Sequence, residues 1–312
     1  MSSPVVVALG GGHGLAASLR ALRLLTDQLT AVVTVADDGG SSGRLRQEFG
    51  VLPPGDLRMA LAALCDDTEW GHQWRDVLQH RFAGEGQLGG HAVGNLLIVS
   101  LWDLLGDTVG GLDLVGRLLN AHGRVLPMAA VPLNIEANVL GSDPGHPFEI
   151  TTVVGQAAVA TTTGRVLSVH LNPREPPACD QAVEAINESE WVILGPGSWF
   201  TSVIPHLLVP GIHDALISTS AKRVLTLNLV MNTVETVGFS AKNHLEVLAA
   251  HAPELRLDYV LADPAIVGDE TLLRRVAGDM GAELVLANVG DQGRRDQHDS
   301  LRLAAAYRDI IR

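Results

Sequence analysis

The segment from Val5 to Arg46, VVVALGGGHGLAASLRALRLLTDQLTAVVTVADDGGSSGRLR, decides the fold of this chain. Its first residues are apolar and mostly β-branched, and they stop at Gly10, which predicts a buried strand entering a tight turn. After the glycines the apolar residues recur at spacings of three and four, which predicts a helix whose buried side carries Leu15, Leu19, Leu22 and Leu25. The glycines therefore lie where unpaired backbone amides open a helix, and such a turn can bind phosphate.

A second apolar run, Leu29 to Val35, predicts another strand, and it leads into the glycine-rich turn Asp37 to Arg46. In a strand-helix-strand unit the carboxyl ends of the strands meet at one edge of the sheet, so we expect both glycine turns to face one crevice. The first turn offers backbone amides, and the second offers carboxylates, hydroxyls and two guanidinium groups. This combination indicates a phosphorylated or nucleotide ligand, with arginine in contact with phosphate.

Two well-known nucleotide-binding patterns are absent from the first turn. The dinucleotide pattern Gly-x-Gly-x-x-Gly, started at Gly10, places its third glycine on Leu15, and no Gly-Lys-Ser or Gly-Lys-Thr follows. An NAD-dependent dehydrogenase is therefore a weak interpretation. A turn that merely packs a helix on a sheet stays open as the alternative for one glycine cluster, but a second turn at the same edge favours ligand binding.

The composition sets limits on the class of protein. The chain has 312 residues, of which 46% are hydrophobic, enough for one large α/β domain or two smaller ones. A net charge of −13 argues against a nucleic-acid partner, since phosphate backbones are held by basic surfaces. The two cysteines, Cys65 and Cys179, form no metal or disulfide pattern and fit a reducing cytosol. With no secretion signal and no apolar run long enough to span a bilayer, we expect a cytoplasmic protein without membrane insertion.

Five motifs follow one another in a fixed order along the chain: Val7 to Gly14, Thr34 to Arg46, Leu52 to Arg58, Gly90 to Leu96 and Leu194 to Pro205. With these motifs the chain resembles the YvcK branch of the CofD-like family, which comprises bacterial proteins called gluconeogenesis factors. The segment Met231 to Phe239 departs from the pattern of these relatives, because it keeps Glu235 and Thr236 but replaces the residues before them. Roles at the replaced positions therefore do not transfer.

The apolar pattern and the resemblance together predict an α/β fold. We expect a Rossmann-like three-layer sandwich with a mostly parallel sheet, formed as a single CofD-like domain over residues 1–312. Between about 134 and 175 threonine and valine become frequent and a turn is predicted at Pro144 to Pro147, which indicates a small β-rich excursion within that domain. The glycine-rich loop over residues 84–90 is predicted to act as a lid.

The candidate ligand-binding residues lie in three glycine turns and beside them. The third turn follows a predicted strand at Trp191 to Leu194, and Ser198 there lacks the Gly-x-Ser-x-Gly context of a hydrolase nucleophile. We interpret its hydroxyl as a phosphate or sugar ligand, with helix capping as the alternative. No catalytic residue is predicted. The predicted binding set is Gly10, Gly11, Gly12, His13, Gly14, Asp37, Asp38, Gly39, Gly40, Ser41, Ser42, Arg44, Asn95, Gly195, Gly197, Ser198, Thr201 and Asn228.

Asp56 has two interpretations. Its position after Pro53-Pro54-Gly55 favours a helix cap. The resemblance implies another role, because acidic residues in this neighbourhood hold a divalent metal in CofD-like transferases. Asp38 and Asp56 are then the candidate metal ligands, provided that magnesium bridges the phosphates of a ligand.

The resemblance implies two functions, and the residues leave both open. The first is a cytoplasmic regulatory protein that binds a nucleotide sugar, UDP-N-acetylglucosamine or UDP-glucose, without a required cofactor. It would be linked to gluconeogenic growth, cell-wall synthesis and cell shape, would form a homo-oligomer such as a dimer, and would act through cell-wall regulatory proteins. The second is a magnesium-dependent transferase of the phospholactate transferase type that uses a nucleotide diphosphate donor.

Overall fold

The computed structural model describes residues 3–143, 145–294 and 296–311. Ten strands run through these residues. They are β1 (Val6–Gly10), β2 (Leu29–Val33), β3 (Arg124–Pro127), β4 (Asn134–Leu140), β5 (Ile150–Val154), β6 (Arg165–Asn172), β7 (Trp191–Leu194), β8 (Lys222–Thr226), β9 (Tyr259–Ala262) and β10 (Glu283–Leu286).

Thirteen α-helices connect and cover these strands in the described part of the chain. They are α1 (Gly12–Leu22), α2 (Gly40–Phe49), α3 (Pro54–Leu64), α4 (Glu69–Gln79), α5 (Val93–Leu105), α6 (Thr108–Leu118), α7 (Gln156–Thr161), α8 (Asp180–Glu188), α9 (Ile204–Leu207), α10 (Pro210–Ser218), α11 (Ala241–His251), α12 (Glu270–Asp279) and α13 (Ser300–Ile311). A π-helical turn, Trp199–Val203, leads into α9.

Seven strands form one parallel sheet in the order β10-β9-β8-β7-β1-β2-β3. All five residues of β1 are buried, because this strand lies between β2 and β7 and helices cover both faces of the sheet. Helix α1 contacts α3 and α13, and α8 contacts α10. Because the chain proceeds in opposite directions along the sheet from β1 and from β7, the rule of right-handed crossovers assigns these two groups to opposite faces. The predicted α/β sandwich with a mostly parallel sheet is therefore confirmed.

The predicted β-rich segment forms a second, antiparallel sheet with the order β5-β4-β6. Along β4 the side chains of Ile135, Ala137 and Val139 are buried while their neighbours are half-exposed, as expected for a sheet with one covered face. The short helix α7 follows β5 and was not expected. The predicted turn at Pro144 to Pro147 begins at a residue outside the described part of the chain.

The expected and observed elements differ most at the second glycine turn. The segment Asp37 to Arg46 was expected to be a turn, but from Gly40 it is the helix α2. A Cβ atom on Gly43 would lie 1.9 Å from the carbonyl oxygen of Asp38, so the glycines allow close packing of this helix rather than a long loop. Helices α10 and α12 are present without having been predicted.

Among the described residues no single helix is long and apolar enough to cross a membrane. One pair of consecutive helical segments, Trp199–Leu207 with Pro210–Ser218, reaches that length and composition, but it is bent by 73°. Most of the first segment is buried in the protein, including Trp199, Phe200 and Ile204.

Candidate functional site

The crevice at the carboxyl edge of the sheet lies where β1 and β7 are neighbours. From β1 the chain continues toward β2, and from β7 it continues to the opposite side toward β8, so this is the point where the strand order reverses. Open α/β sheets bind ligands at such a point. Gly10 ends β1 and Gly11 precedes α1, while Gly195 to Ser198 follow β7.

The first and third glycine turns are in direct backbone contact. A Cβ atom on Gly14 would lie 2.3 Å from the carbonyl oxygen of Pro196 and 2.7 Å from Cα of Gly197, far inside normal contact. Only glycine lets the start of α1 approach this closely. Two turns that were predicted separately therefore form one wall of the crevice.

Both polar atoms of the Asn228 side chain bond to the backbone of the third turn. Its Oδ1 accepts a hydrogen bond from the backbone N–H of Gly197 (2.8 Å), and its Nδ2 donates to the carbonyl of the same residue (2.7 Å). This side chain also lines a cavity of about 300 Å³ with His13, Gly14, Arg20 and His298. Exposed Ser198 lines the same cavity, and its hydroxyl makes no hydrogen bond within the described residues.

The second glycine segment forms a smaller acidic pocket of about 210 Å³. Asp37 accepts a hydrogen bond from the N–H of Gly39 (2.9 Å) and lies near the carboxylate of Asp56. Burial and the negative charge of Asp37 raise the pKa of Asp56 to about 7, against the opposing effects of the Gly12 amide and Arg58. Asp56 thus carries a proton for much of the time near neutrality. The pocket is lined by Asp37, Gly39, Gly40, Ser41, Ser42, Gly55, Asp56, Arg58, Met59, Arg81 and Asn95.

The carboxylate of Asp56 joins the first turn to the acidic pocket. It does not cap its own helix, because α3 begins at Pro54 after the extended residue Pro53, and Asp56 bonds instead to the backbone N–H of Gly12. The expectation of a helix cap was wrong. A Cβ atom on Gly11 would lie 2.6 Å from Oδ2 of Asp56, so Gly11 leaves this carboxylate room to reach α1.

Asp38 points away from Asp56. Its Oδ1 accepts a hydrogen bond from the N–H of Ala157 (2.9 Å) in the first turn of α7. Asp37 therefore replaces Asp38 as the geometric partner of Asp56, since the two residues follow each other in extended chain and face opposite ways. No group of three His, Cys, Asp or Glu side chains in the described part of the chain is arranged to hold a metal ion. Two carboxylates still fit magnesium, which retains several waters and often binds few protein oxygens.

Asn95, 1% exposed, positions other groups of the pocket. Its Oδ1 accepts from Nε of Arg58 (2.8 Å), and its Nδ2 donates to the hydroxyl oxygen of Ser41 (2.9 Å). Ser41 also contacts Nδ1 of His91 (3.0 Å), and burial lowers the pKa of that histidine. Both ends of the Asn95 amide are thus engaged within the protein, where they hold Arg58 and Ser41 in the wall of the pocket.

Two other predicted ligand residues also bind protein groups. Arg44 donates to the carbonyl oxygens of Gln87 (3.2 Å) and Gly89 (2.8 Å), so it holds the glycine-rich loop and not the acidic pocket. Thr201 is 1% exposed, and its hydroxyl donates to Glu235 (3.4 Å). Burial raises the pKa of Glu235 to about 7, although the N–H groups of Trp199 and Phe200 also bond to its carboxylate. Glu235 therefore anchors the π-helical turn after the third glycine turn.

Sequence reasoning missed the arginines of the crevice. Arg58 lies two residues after Asp56 within the motif Leu52 to Arg58, and it is 4% exposed. Arg20 lies on the side of α1 that also carries His13 and Ala16, a helical spacing that the sequence does show. A third cavity joins the acidic pocket to the cavity beside Ser198 and Asn228, which we call the switch-point cavity. It shares Arg58 with the acidic pocket and Arg20 with the switch-point cavity.

The sequence model for the family described as "2-phospho-L-lactate transferase CofD" matches residues 6–298, from β1 to His298 at the far wall of the crevice. This chain belongs to the CofD family. Within the family it is 54% identical over 303 residues to the "Putative gluconeogenesis factor" of Mycobacterium tuberculosis, a match that covers 96% of this chain and 88% of the relative. It is 35% identical over 267 residues to the "Gluconeogenesis factor" of Bacillus subtilis, covering 86% and 81% of the two chains.

The fold is also that of a solved bacterial protein. A crystal structure of a UPF0052 family member from Bacillus halodurans superposes with a TM-score of 0.87 at 31% identity, covering 98% of this chain and 99% of the other. The predicted resemblance to the gluconeogenesis factor branch of the CofD family is therefore confirmed.

Proposed function

We propose that this chain is a regulatory protein that binds a nucleotide sugar, UDP-N-acetylglucosamine or UDP-glucose, in the crevice between β1 and β7. The observation that carries the proposal is the contact of Gly14 with Pro196 and Gly197, which brings two glycine turns together at the switch point of the sheet. The name of the relatives, gluconeogenesis factor, supports a role in gluconeogenic growth. A cytoplasmic location, roles in cell-wall synthesis and cell shape, dimer formation and regulatory protein partners belong to the same proposal.

The ligand diphosphate would lie against the amides at the start of α1. The N–H of Gly12 is taken by Asp56, but the amides of His13 and Gly14 have no helical partner, and the positive end of the helix dipole faces the same space. The exposed hydroxyl of Ser198 and the imidazole of His13 stand beside them and are available to the sugar or the phosphates. Arg20 adds a positive charge to the same cavity.

The crevice offers poor conditions for covalent catalysis, which favours binding over turnover. Ser41 and His91 are the nearest approach to a nucleophile and base, at 3.0 Å. The Ser41 oxygen, however, also receives hydrogen bonds from Asn95 (2.9 Å) and the N–H of Ala92 (3.4 Å), which stabilise it as an acceptor. Ser41 and His91 are moreover buried, 4% and 6% exposed. We therefore assign this pair to the structure of the pocket.

A second function, a magnesium-dependent transferase with a nucleotide diphosphate donor, is favoured by one observation. Asp37 and Asp56 lie close enough that the charge of one raises the pKa of the other, and a divalent cation would relieve that repulsion. Magnesium would supply charge neutralisation to a bound diphosphate. Asp37 and Asp56 would hold it, and Arg58 and Arg81 would orient the transferred group. The description of the matching family model supports the same candidate.

Isothermal titration calorimetry distinguishes the two functions. The protein is titrated with UDP-N-acetylglucosamine, UDP-glucose, GDP and NAD, with and without magnesium, and each mixture is then assayed for consumed ligand. Binding of a UDP-sugar without turnover supports the regulatory function. Magnesium-dependent binding with preference for GDP, or consumption of a nucleotide, transfers the assignment to the transferase. Failure of every UDP-sugar to bind refutes the first proposal.

A further inference from the structure

A groove of about 350 Å³ lies between α1, α3 and α4, next to the acidic pocket. Among the described residues that line it, none is acidic, although the chain as a whole carries a charge of −13. Four of the lining residues are arginines. The lining residues are His13, Ala16, Arg20, Arg58, Met59, Ala62, Ala63, Arg75, Gln79 and Arg81.

Arg58 is a fixed positive charge in the wall of this groove. Its side chain is held by Asn95 and by the side-chain oxygen of Gln79. Burial and the nearby charge of Arg81 lower its pKa to about 10, against the opposing effects of Asp56 and Asp37 in the neighbouring pocket, so it remains charged at neutral pH. A buried guanidinium held in one orientation is prepared to bind an anion without further loss of side-chain freedom.

Arg20 lacks a carboxylate partner in the described part of the chain. Arg20 is exposed along the groove, and partial burial of its guanidinium together with the charges of Arg23 and Arg75 lowers its pKa. The neighbouring arginines differ, because Arg23 pairs with Asp67 (2.5 Å) and Arg75 with Asp76 (3.1 Å). Among these arginines, Arg20 therefore offers its guanidinium to a bound anion without first giving up a carboxylate partner in the described part of the chain.

We propose that this groove is a separate binding site for a small metabolite that carries a phosphate monoester. A phosphate dianion matches several guanidinium groups better than a single carboxylate does, since each fork contacts two of its oxygens. Ala16, Ala62, Ala63 and Met59 form an apolar floor that leaves space for a short carbon chain. The groove shares His13 and Arg20 with the switch-point cavity, so the two ligands would lie side by side.

The test uses glycerol 3-phosphate as the probe and glycerol as its uncharged control, with binding measured by calorimetry in a phosphate-free buffer. The double variant R20Q/R75Q removes two charges from the groove. The matched control R256Q/R274Q removes two charges from exposed arginines near α12, far from the groove in the fold. We expect the groove variant to raise Kd at least about tenfold and the control to leave it unchanged. Lack of binding by the wild-type protein, or equal Kd values in the wild type and in R20Q/R75Q, overturns the proposal.

A second titration separates this inference from the proposed function. Glycerol 3-phosphate is titrated into protein saturated with UDP-N-acetylglucosamine, and thermal unfolding confirms that each variant is folded. Binding that persists at saturation supports a separate site, whereas complete competition shows that the groove belongs to the nucleotide site and overturns the inference. If the UDP-sugar never binds but glycerol 3-phosphate binding depends on Arg20 and Arg75, the proposed function fails and the groove assignment stands.

Discussion

Replacing Gly14 with alanine tests the contact between the two glycine turns. The new Cβ atom would lie 2.3 Å from the carbonyl oxygen of Pro196, whereas ordinary contact begins at 3.4 Å, so the turns must separate by about 1.1 Å. Overpacking of this kind costs about 1–3 kcal/mol. Alanine recovers up to about 1 kcal/mol through its higher helix propensity. We therefore expect the free energy of unfolding to fall by roughly 1–2 kcal/mol.

The same displacement moves one wall of the crevice, so binding should suffer more than stability. A shift of about 1 Å in a positioned group weakens a site by up to about a hundredfold. We expect the affinity of G14A for UDP-N-acetylglucosamine to fall between about tenfold and a hundredfold. Denaturant unfolding gives the stability and calorimetry gives the affinity, each measured on the same preparation.

A matched control is available in α12. Gly278 is also a helical glycine, but a Cβ atom there would meet no atom within 4 Å. We expect G278A to keep wild-type affinity and to gain up to about 1 kcal/mol of stability. If G14A has the free energy of unfolding and the UDP-sugar affinity of the wild type, the two turns are not in contact. The proposed function then loses the observation on which it rests.

Three further predictions address the buried groups. The pKa of Asp56 is raised to about 7 from 3.8, so the stability that its proton uptake contributes is fully present below about pH 4 and is lost as the pH rises through 7. The Tm of Asp56→Asn minus the Tm of the wild type should therefore be larger at pH 8 than at pH 5. An equal difference at both pH values contradicts the environment assigned to Asp56. The pKa of Glu235 is also raised to about 7, so its stability contribution is likewise lost as the pH rises through 7. In E235Q one of the two carboxylate oxygens that accept from Trp199 and Phe200 is replaced by an NH2 group, so these two amides should exchange faster with deuterium. Unchanged exchange would show that the carboxylate is not their partner. Arg44→Ala should speed proteolysis or hydrogen exchange in the loop over residues 84–90 while changing UDP-sugar affinity less than about threefold, and a large loss of affinity with an unchanged loop would restore Arg44 as a ligand residue.

The elements predicted from sequence are those that local pattern determines. The strand Trp191–Leu194 has the expected bounds, because it is a short apolar run that ends at a glycine. The rule that parallel strands present their carboxyl ends at one edge places the first and third glycine turns on the same side of the sheet, but their backbone contact was not predicted. Helix α12 was missed although its apolar spacing is present in the sequence.

The roles of individual side chains were harder to predict, because distant parts of the chain decide them. Asp37 and Asp38 are adjacent and chemically identical, and only the N–H of Ala157, more than a hundred residues later, draws Asp38 out of the pocket. Arg44 and Arg58 each lie in a quoted motif, yet one holds a loop and the other lines the crevice because of where α5 and residues 84–90 pack. Motif residues therefore identified the neighbourhood of the site better than its contacts.

The hydrogen bond from Ala157 to Asp38 gives the β-rich excursion a mechanical link to the acidic pocket. A ligand that shifts the segment Gly39 to Ser42 must either pull α7 with it or break this bond. Because α7 contacts both β4 and β5, its displacement would be transmitted to the excursion, whose outer positions include the exposed side chains of Phe148 and Ile150. The excursion is therefore tied to the acidic pocket by a single backbone-to-carboxylate hydrogen bond as well as by the chain itself.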